Sequence, residues 1–140
     1  MIVVIRMAGQ VGLKEEINNT LNRLNLRRKF ITCLLNDSKG NMGMLLKVRY
    51  HVCYGTINKE TLLHLLTKRG KLVGGKSLTK EQAEKVIVEL EKGKSLRKLG
   101  LKPFFRLSPP KKGFKSTKQT YPRGDLGKHA KINELLGRMI

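Results

Sequence analysis

Residues 70–77, GKLVGGKS, match the phosphate-loop pattern G-x-x-x-x-G-K-S/T letter for letter. In such a loop the glycines let backbone N–H groups wrap a phosphate, the lysine (Lys76) reaches the terminal phosphates and the hydroxyl (Ser77) holds magnesium. That chemistry needs a strand before the loop and a helix starting within it. Here a leucine-rich helical pattern precedes the loop. The strand-plus-acid run FITCLLND at 30–37 lies upstream rather than downstream. The stretch therefore reads as a flexible basic link between two helices, not as a nucleotidase. His51 and Cys53, with His64 further on, invite a metal reading. A structural zinc site normally needs four placed ligands and often shows paired cysteines. No C-x-x-C is present, and Cys33 and Cys53 read as small core residues. A G-x-S-x-G elbow is also absent. Glu15, Glu81 and Glu84 lie near expected helix N-termini, where carboxylates favour the helix dipole. No catalysis, metal or cofactor is expected.

The basic residues carry the stronger signal. Arg27, Arg28 and Lys29 are consecutive. Lys39 and Asn41 sit just before an expected helix, whose N-terminal N–H groups favour phosphate. Lys68, Arg69 and Lys71 crowd the end of another helix. Lys111, Lys112, Lys115, Lys118 and Arg123 lie in a Gly/Pro-rich stretch, with Phe114 and Tyr121 interleaved. Guanidinium forks suit bidentate phosphate contacts. A single charge run usually marks a solvated face. Four clusters on a chain of 140 residues and net charge +20 point to a polyanion.

The charge is spread along the chain. Residues 1–58 carry nine basic and three acidic side chains, residues 59–100 eleven and five, and residues 101–140 ten and two, giving +6, +6 and +8. This distribution suits a protein with RNA on several sides. No DNA-binding motif such as a zinc finger or basic zipper is apparent. The aromatic signature of a single-strand RNA reader is missing too. Shape and backbone recognition of folded RNA fits best. The apolar N-terminal run, MIVVIRMAG, is short and contains Arg6, so no secretory signal is expected. A reducing cytoplasm suits the two cysteines.

Positioning these residues requires elements, and hydrophobic spacing supplies them. IVVIRM at 2–7 reads as a strand. Leu13, Ile17, Leu21 and Leu24 mark one face of a helix. FITCLL at 30–35 reads as a second strand, and Asp37, Ser38, Gly40 and Asn41 as a turn. A helix over 42–51 and a strand over 53–57 follow. A helix over 59–69 has Asn58 as N-cap and Gly70 as stop. Thr79 and Gln82 have capping-box spacing. Ala83, Val86, Ile87 and Leu90 form one stripe, which Gly93 ends. SLRKLG at 95–100 reads as one further helical turn, and FFRL at 104–107 as a strand with Phe105 and Leu107 on one face. Residues 108–131 cannot build a core of their own. Ile132, Leu135, Leu136 and Met139 predict a short docked helix.

Several blocks resemble a known family. IVVIRMAGQVG, LNRLNLRRKF and NMGMLLKVRYHVCYGTIN resemble the L-thirty family of large-subunit ribosomal proteins (L-seven in eukaryotic cytosolic ribosomes). FFRLSPPKKGFK and GDLGKHAKINELL resemble the C-terminal extension of its archaeal-type members. The opening at IVVIRM, with no long basic extension before it, points to the archaeal type. Ile31 and His51 depart from the polar and apolar residues usual at their positions.

The resemblance implies an α+β fold: a ferredoxin-like β-α-β-α-β core with a small antiparallel sheet over 1–58. A helical extension with a short returning strand covers 59–107. A basic extended segment over 108–140 ends in the docked helix. It also implies a structural role on large-subunit rRNA, near 5S rRNA, among neighbouring ribosomal proteins. Neither a membrane, a small-molecule substrate nor a homo-oligomer is expected. By motif match the implied RNA contacts are Arg27, Arg28, Asn41, Gly43 and Met44 in the core. In the extension they are Arg106, Pro109, Pro110, Lys111, Lys112 and Gly113. The alternative is a ribosome-assembly factor or RNA chaperone.

Overall fold

The computed structural model describes residues 1–140 apart from Gln10, Ser95, Lys115, Thr117 and Pro122. The chain runs β1 (Ile2–Arg6), α1 (Glu15–Arg23), β2 (Ile31–Leu35), α2 (Lys39–Val48), β3 (Val52–Thr56), α3 (Lys59–Arg69) and α4 (Lys80–Glu91). It continues through β4 (Phe105–Arg106) and β5 (Gly127–Lys128) to α5 (Ile132–Met139).

The β-branched run of β1 is the middle strand of a sheet ordered β4-β2-β1-β3-β5. Val4 lies opposite Cys33 of β2 and Tyr54 of β3. Both pairings are antiparallel, so β2 and β3 run parallel to each other with β1 between them, the split β-α-β arrangement of ferredoxin-like folds. β4 adds antiparallel to β2, with Ile31 opposite Arg106. The sheet expected to be antiparallel gains one parallel pair, because β5 joins β3 through Cys53–Gly127 and Tyr54–Lys128.

Alternation along the strands decides the layers. Ile2 and Val4 point into one cluster, with Leu21 of α1, Leu24 at its C-cap, and Leu45 and Val48 of α2. Val3 and Ile5 point into the other, which draws on all three stretches of the chain: Leu65 and Leu66 of α3, Ala83 of α4, Phe105, Leu126 and Leu135. The sheet is thus covered on both faces, which explains why all five residues of β1 are buried.

Several boundaries differ from expectation. α2 starts at Lys39, not 42, because Ser38 Oγ accepts the Asn41 N–H at 3.2 Å and caps the helix. Lys39, Gly40 and Asn41 are therefore its first turn rather than a preceding loop. Its other end is earlier too, since Val52 pairs with Arg6 in the sheet. Asn58 stands at the N-cap of α3 but makes no side-chain cap bond. Its side chain instead accepts from Asn133 Nδ2 of α5 at 3.2 Å, and its N–H donates to Asn133 Oδ1 at 2.9 Å. Gly70 does not end α3 through a left-handed turn (φ −66°, ψ 136°). A Cβ there would collide with the Leu66 carbonyl and the Leu78 side chain, so close approach explains the glycine. The capping box of α4 is present in both directions, Thr79 with Gln82.

Residues 96–100 form hydrogen-bonded turns rather than a helical turn, closed by Leu101 N–H on the Leu96 carbonyl at 3.0 Å. The basic stretch after Ser108 makes no core of its own but lends Leu126 and Phe114 to the main one. Its first residues lie along the end of α5, with the Lys111 N–H donating to the Arg138 carbonyl at 3.1 Å.

Candidate nucleic-acid interface

The first basic cluster is aimed by the end of α1. Asn25 adopts a left-handed conformation (φ 62°) after Leu24. Its N–H bonds the Asn22 carbonyl at 3.1 Å, and the Leu26 N–H bonds the Leu21 carbonyl at 2.9 Å. This is a Schellman ending with asparagine in place of glycine. It turns the chain sharply and puts Arg27 and Arg28 beside the β4 edge. α4 ends the same way at Gly93 (φ 89°), which delivers Lys94 and then Arg97 to the same side. Arg97 Nη2 donates to Asn25 Oδ1 at 3.1 Å and joins the two turns.

A cavity of 410 Å³ opens here, lined by Asn25, Arg27, Arg28, Ile31, Arg97, Pro103, Phe104 and Arg106. A second, of 350 Å³, shares Phe104 and Arg106 and adds Lys68, Arg69, Lys71 and Lys102. A third, of 270 Å³, shares Asn25, Arg97 and Pro103 and adds Arg23, Asn36, Asn41 and Lys94 among its lining. The three form a belt along the edge of the sheet, and among the described residues no aspartate or glutamate lines any of them. At its far end Arg69 Nη2 donates to Ser108 Oγ at 2.7 Å, so the belt meets the start of the basic C-terminal stretch.

The fold therefore brings together Arg27, Arg28, Asn41, Lys68, Arg69, Lys71 and Arg106 from the sequence-based set. The remaining described members of that set do not line these three cavities. Lys29 lies over the Phe30 ring, 5.1 Å from its centroid. Lys39 and Gly43 are exposed on α2, while Met44 packs against the core on the α1–α2 face. Pro109, Lys111, Lys112 and Gly113 are exposed and Pro110 is buried beside α5. Phe114 stacks on Phe30 with centroids 5.8 Å apart. Lys118 and Arg123 are exposed, and Lys115 lies outside the described residues. Sequence reasoning missed Arg23, Lys94, Arg97, Lys102 and Phe104. The run KSLRKLGLK carried the charge signal for three of them, but nothing local shows which side it faces.

The belt gathers cations rather than groups suited to bond-making. Burial pushes the Cys33 thiol up to about 12, and burial with the Asp125 carboxylate nearby pushes Cys53 higher still. Neither thiol is a nucleophile at neutral pH. Among the described residues no group of three or more His, Cys, Asp or Glu could hold a metal ion. No described helix is long and apolar enough to cross a membrane.

Comparison with known proteins decides the family. The model of "Ribosomal protein L30p/L7e" matches residues 2–52, which span β1 to the start of β3. The match extends along the whole chain in curated relatives. The large ribosomal subunit protein uL30 of Archaeoglobus fulgidus is 43% identical, with 99% of both chains covered. The chain belongs to the L30p/L7e family. The uL30 protein of Korarchaeum cryptofilum is 41% identical over all of this chain and 95% of its own. That of Methanosphaera stadtmanae is 34% identical with both chains fully covered. The L30p/L7e family is structural and non-enzymatic, and the archaeal type extends to the C-terminal stretch.

Proposed function

We propose that this chain is a structural constituent of the large ribosomal subunit in the cytoplasm, and that it binds folded rRNA through the β4-edge belt. The observation that carries the reading is the belt itself. Clusters far apart in sequence converge on one side of the sheet; among the described residues no carboxylate lines the three cavities, and of their cations Lys94 pairs with Glu89 at 2.6 Å. The full-length archaeal relatives, named large-subunit proteins, agree with it. The exposed lysines of the 108–131 stretch extend the contact beyond the belt and into RNA grooves. Proximity to 5S rRNA is the finer part of the reading and rests on the family resemblance.

Binding of this kind is driven by counterion release, so affinity falls as salt rises, with a slope of roughly 0.7–0.9 log units per neutralised phosphate. Sedimentation of cell extract at several salt concentrations tests the role. Stoichiometric co-migration with mature large subunits, resisting moderate salt, is expected, with crosslinks to 5S rRNA within them. Migration only with precursor particles would make the chain an assembly factor instead.

A further inference from the structure

The middle cavity of the belt combines what its neighbours hold singly, the Phe104 ring and Pro103, among four arginines. Its 410 Å³ falls within the range of about 300–1,000 Å³ of clefts that enclose small ligands. Phosphates of an intact duplex lie on its outside and need no such recess. An unstacked nucleotide does: its base has π-faces that stack on aromatic rings or guanidinium planes, and its phosphates pair with arginine. We propose that this cavity takes up one unstacked nucleotide of the rRNA, its base against Phe104 and Pro103 and its flanking phosphates on Arg28, Arg97 and Arg106. The proposal rests on the rRNA-binding reading above.

The part of the receptor built on Phe104, Pro103 and Arg97 is preformed. Phe104 is half-buried against the α1–α2 core. It directly precedes β4, whose pairing with β2 fixes the backbone. Pro103 has a locked φ. Arg97 is held by Asn25, which is itself fixed in the turn after α1. Less side-chain freedom is lost on binding than with four free arginines. The other cavities fit such a guest less well. The one between α3, α4 and Asp37 has Glu91 as well as Lys59 in its lining, which would oppose a phosphate. The one beside Lys68 has five cations around a single ring and suits phosphates alone.

The chain contains no tryptophan, so Phe104→Trp places a single fluorophore in the cavity. The probe is the organism's deproteinised large-subunit rRNA, titrated with full-length protein at graded potassium chloride. A stacked base is expected to quench the tryptophan at saturation. Phe104→Leu keeps the apolar volume but loses the π-face. It should bind about 5- to 100-fold more weakly with an unchanged salt slope. Arg106→Gln should reduce the slope by about one. Base-specific chemical probing should show one nucleotide becoming reactive in the Leu complex while backbone protections persist. Unquenched tryptophan at saturation, or a Leu variant that binds rRNA as the unaltered protein does, overturns the proposal. A Leu variant that keeps rRNA affinity yet is lost from subunits carrying the other proteins would assign the cavity to a protein side chain. If the unaltered protein shows no salt-dependent affinity for rRNA, the RNA-binding reading itself fails, a result distinct from loss of quenching alone.

Discussion

His129 Nε2 lies 3.0 Å from Asp125 Oδ1, and both side chains are buried, 6% and 3% exposed. The other ring nitrogen, Nδ1, accepts the Lys131 N–H at 3.1 Å. That fixes the tautomer: Nε2 carries the proton and donates it to the carboxylate. The Tyr121 ring packs on the imidazole with centroids 4.5 Å apart. The His129 N–H bonds the Tyr54 carbonyl of β3 at 2.8 Å. The Asp125–His129 pair thus braces the stretch from within, while the His129 N–H and the two residues of β5 tie it to the sheet.

His129→Ala should therefore loosen the C-terminal stretch. Removing the imidazole takes a partner from a buried carboxylate, at a cost of about 2–4 kcal/mol. Asp125→Asn keeps an oxygen that can accept from Nε2, so its cost should be smaller, about 1 kcal/mol. Urea unfolding midpoints check the ranking. Equal losses in both variants would mean that Nε2 does not donate to the Asp125 carboxylate.

Arg6 is a second buried polar device, 1% exposed in the central strand. Nε donates to the Ala8 carbonyl at 2.8 Å, Nη1 to that of Leu26 at 2.6 Å and Nη2 to that of Gly9 at 3.3 Å. The fork holds the loop after β1 against the end of α1. Burial, and then the Arg6 charge, hold the half-buried His51 imidazole below its ordinary value of 6.5. Its neutral form contributes stability above that value, and this contribution is lost as pH falls through the depressed folded value. Arg6→Met should raise the His51 pKa, whereas Arg6→Lys keeps the charge and should leave it low. Both should lose about 1–3 kcal/mol, since neither can serve three carbonyls. NMR titration of His51 beside urea melts separates the two effects.

Much of this was legible in the sequence, and the exceptions share a cause. The face of α1 was readable from Leu13, Ile17, Leu21 and Leu24, and the Thr79–Gln82 capping box is there as spaced. Both are local signals. β5 was not readable, because Gly127–Lys128 has no strand propensity and exists only through its pairing with β3. The start of α2 was misplaced because Asp37, Ser38, Gly40 and Asn41 all favour turns, and only geometry shows that Ser38 is the cap. The belt was legible by residue type at Arg27, Arg28, Lys68 and Arg69. Its convergence depends on β4 pairing with β2, a long-range contact that brings Arg106 opposite Ile31 and Phe104 between the clusters.

Gly55 is where the C-terminal stretch presses closest to the sheet. A Cβ there would lie 2.7 Å from the His129 carbonyl and 2.8 Å from Ile132 Cγ2. The carbonyl is backbone, so β5 and α5 would have to move away from β3. Gly55→Ala should cost about 1–3 kcal/mol, as overpacking does. It should also speed proteolysis within residues 108–131. Gly43→Ala, on exposed helix with open space around it, should be neutral or stabilising by up to about 1 kcal/mol. A Gly55→Ala variant as stable and as protease-resistant as the unaltered chain would contradict the close packing.

The phosphate-loop match can be tested because the backbone it needs is already committed. Leu72 N–H bonds the Lys76 carbonyl at 2.8 Å, Val73 N–H that of Gly100 at 2.9 Å and Gly75 N–H that of Leu72 at 2.9 Å. Lys71 and Ser77 pair antiparallel, so GKLVGGKS is a small hairpin. Those three N–H groups point at carbonyls, not into a phosphate nest. α4 begins only at Lys80, behind its own capping box. A chain of charge +20 will still attract any polyanion, so the control matters more than the shift. Magnesium ATP and tripolyphosphate at equal ionic strength should raise the melting temperature alike, and Lys76→Ala should lower both responses equally. A stabilisation specific to ATP, dependent on magnesium and abolished by Lys76→Ala, would show that the hairpin opens to wrap a phosphate after all.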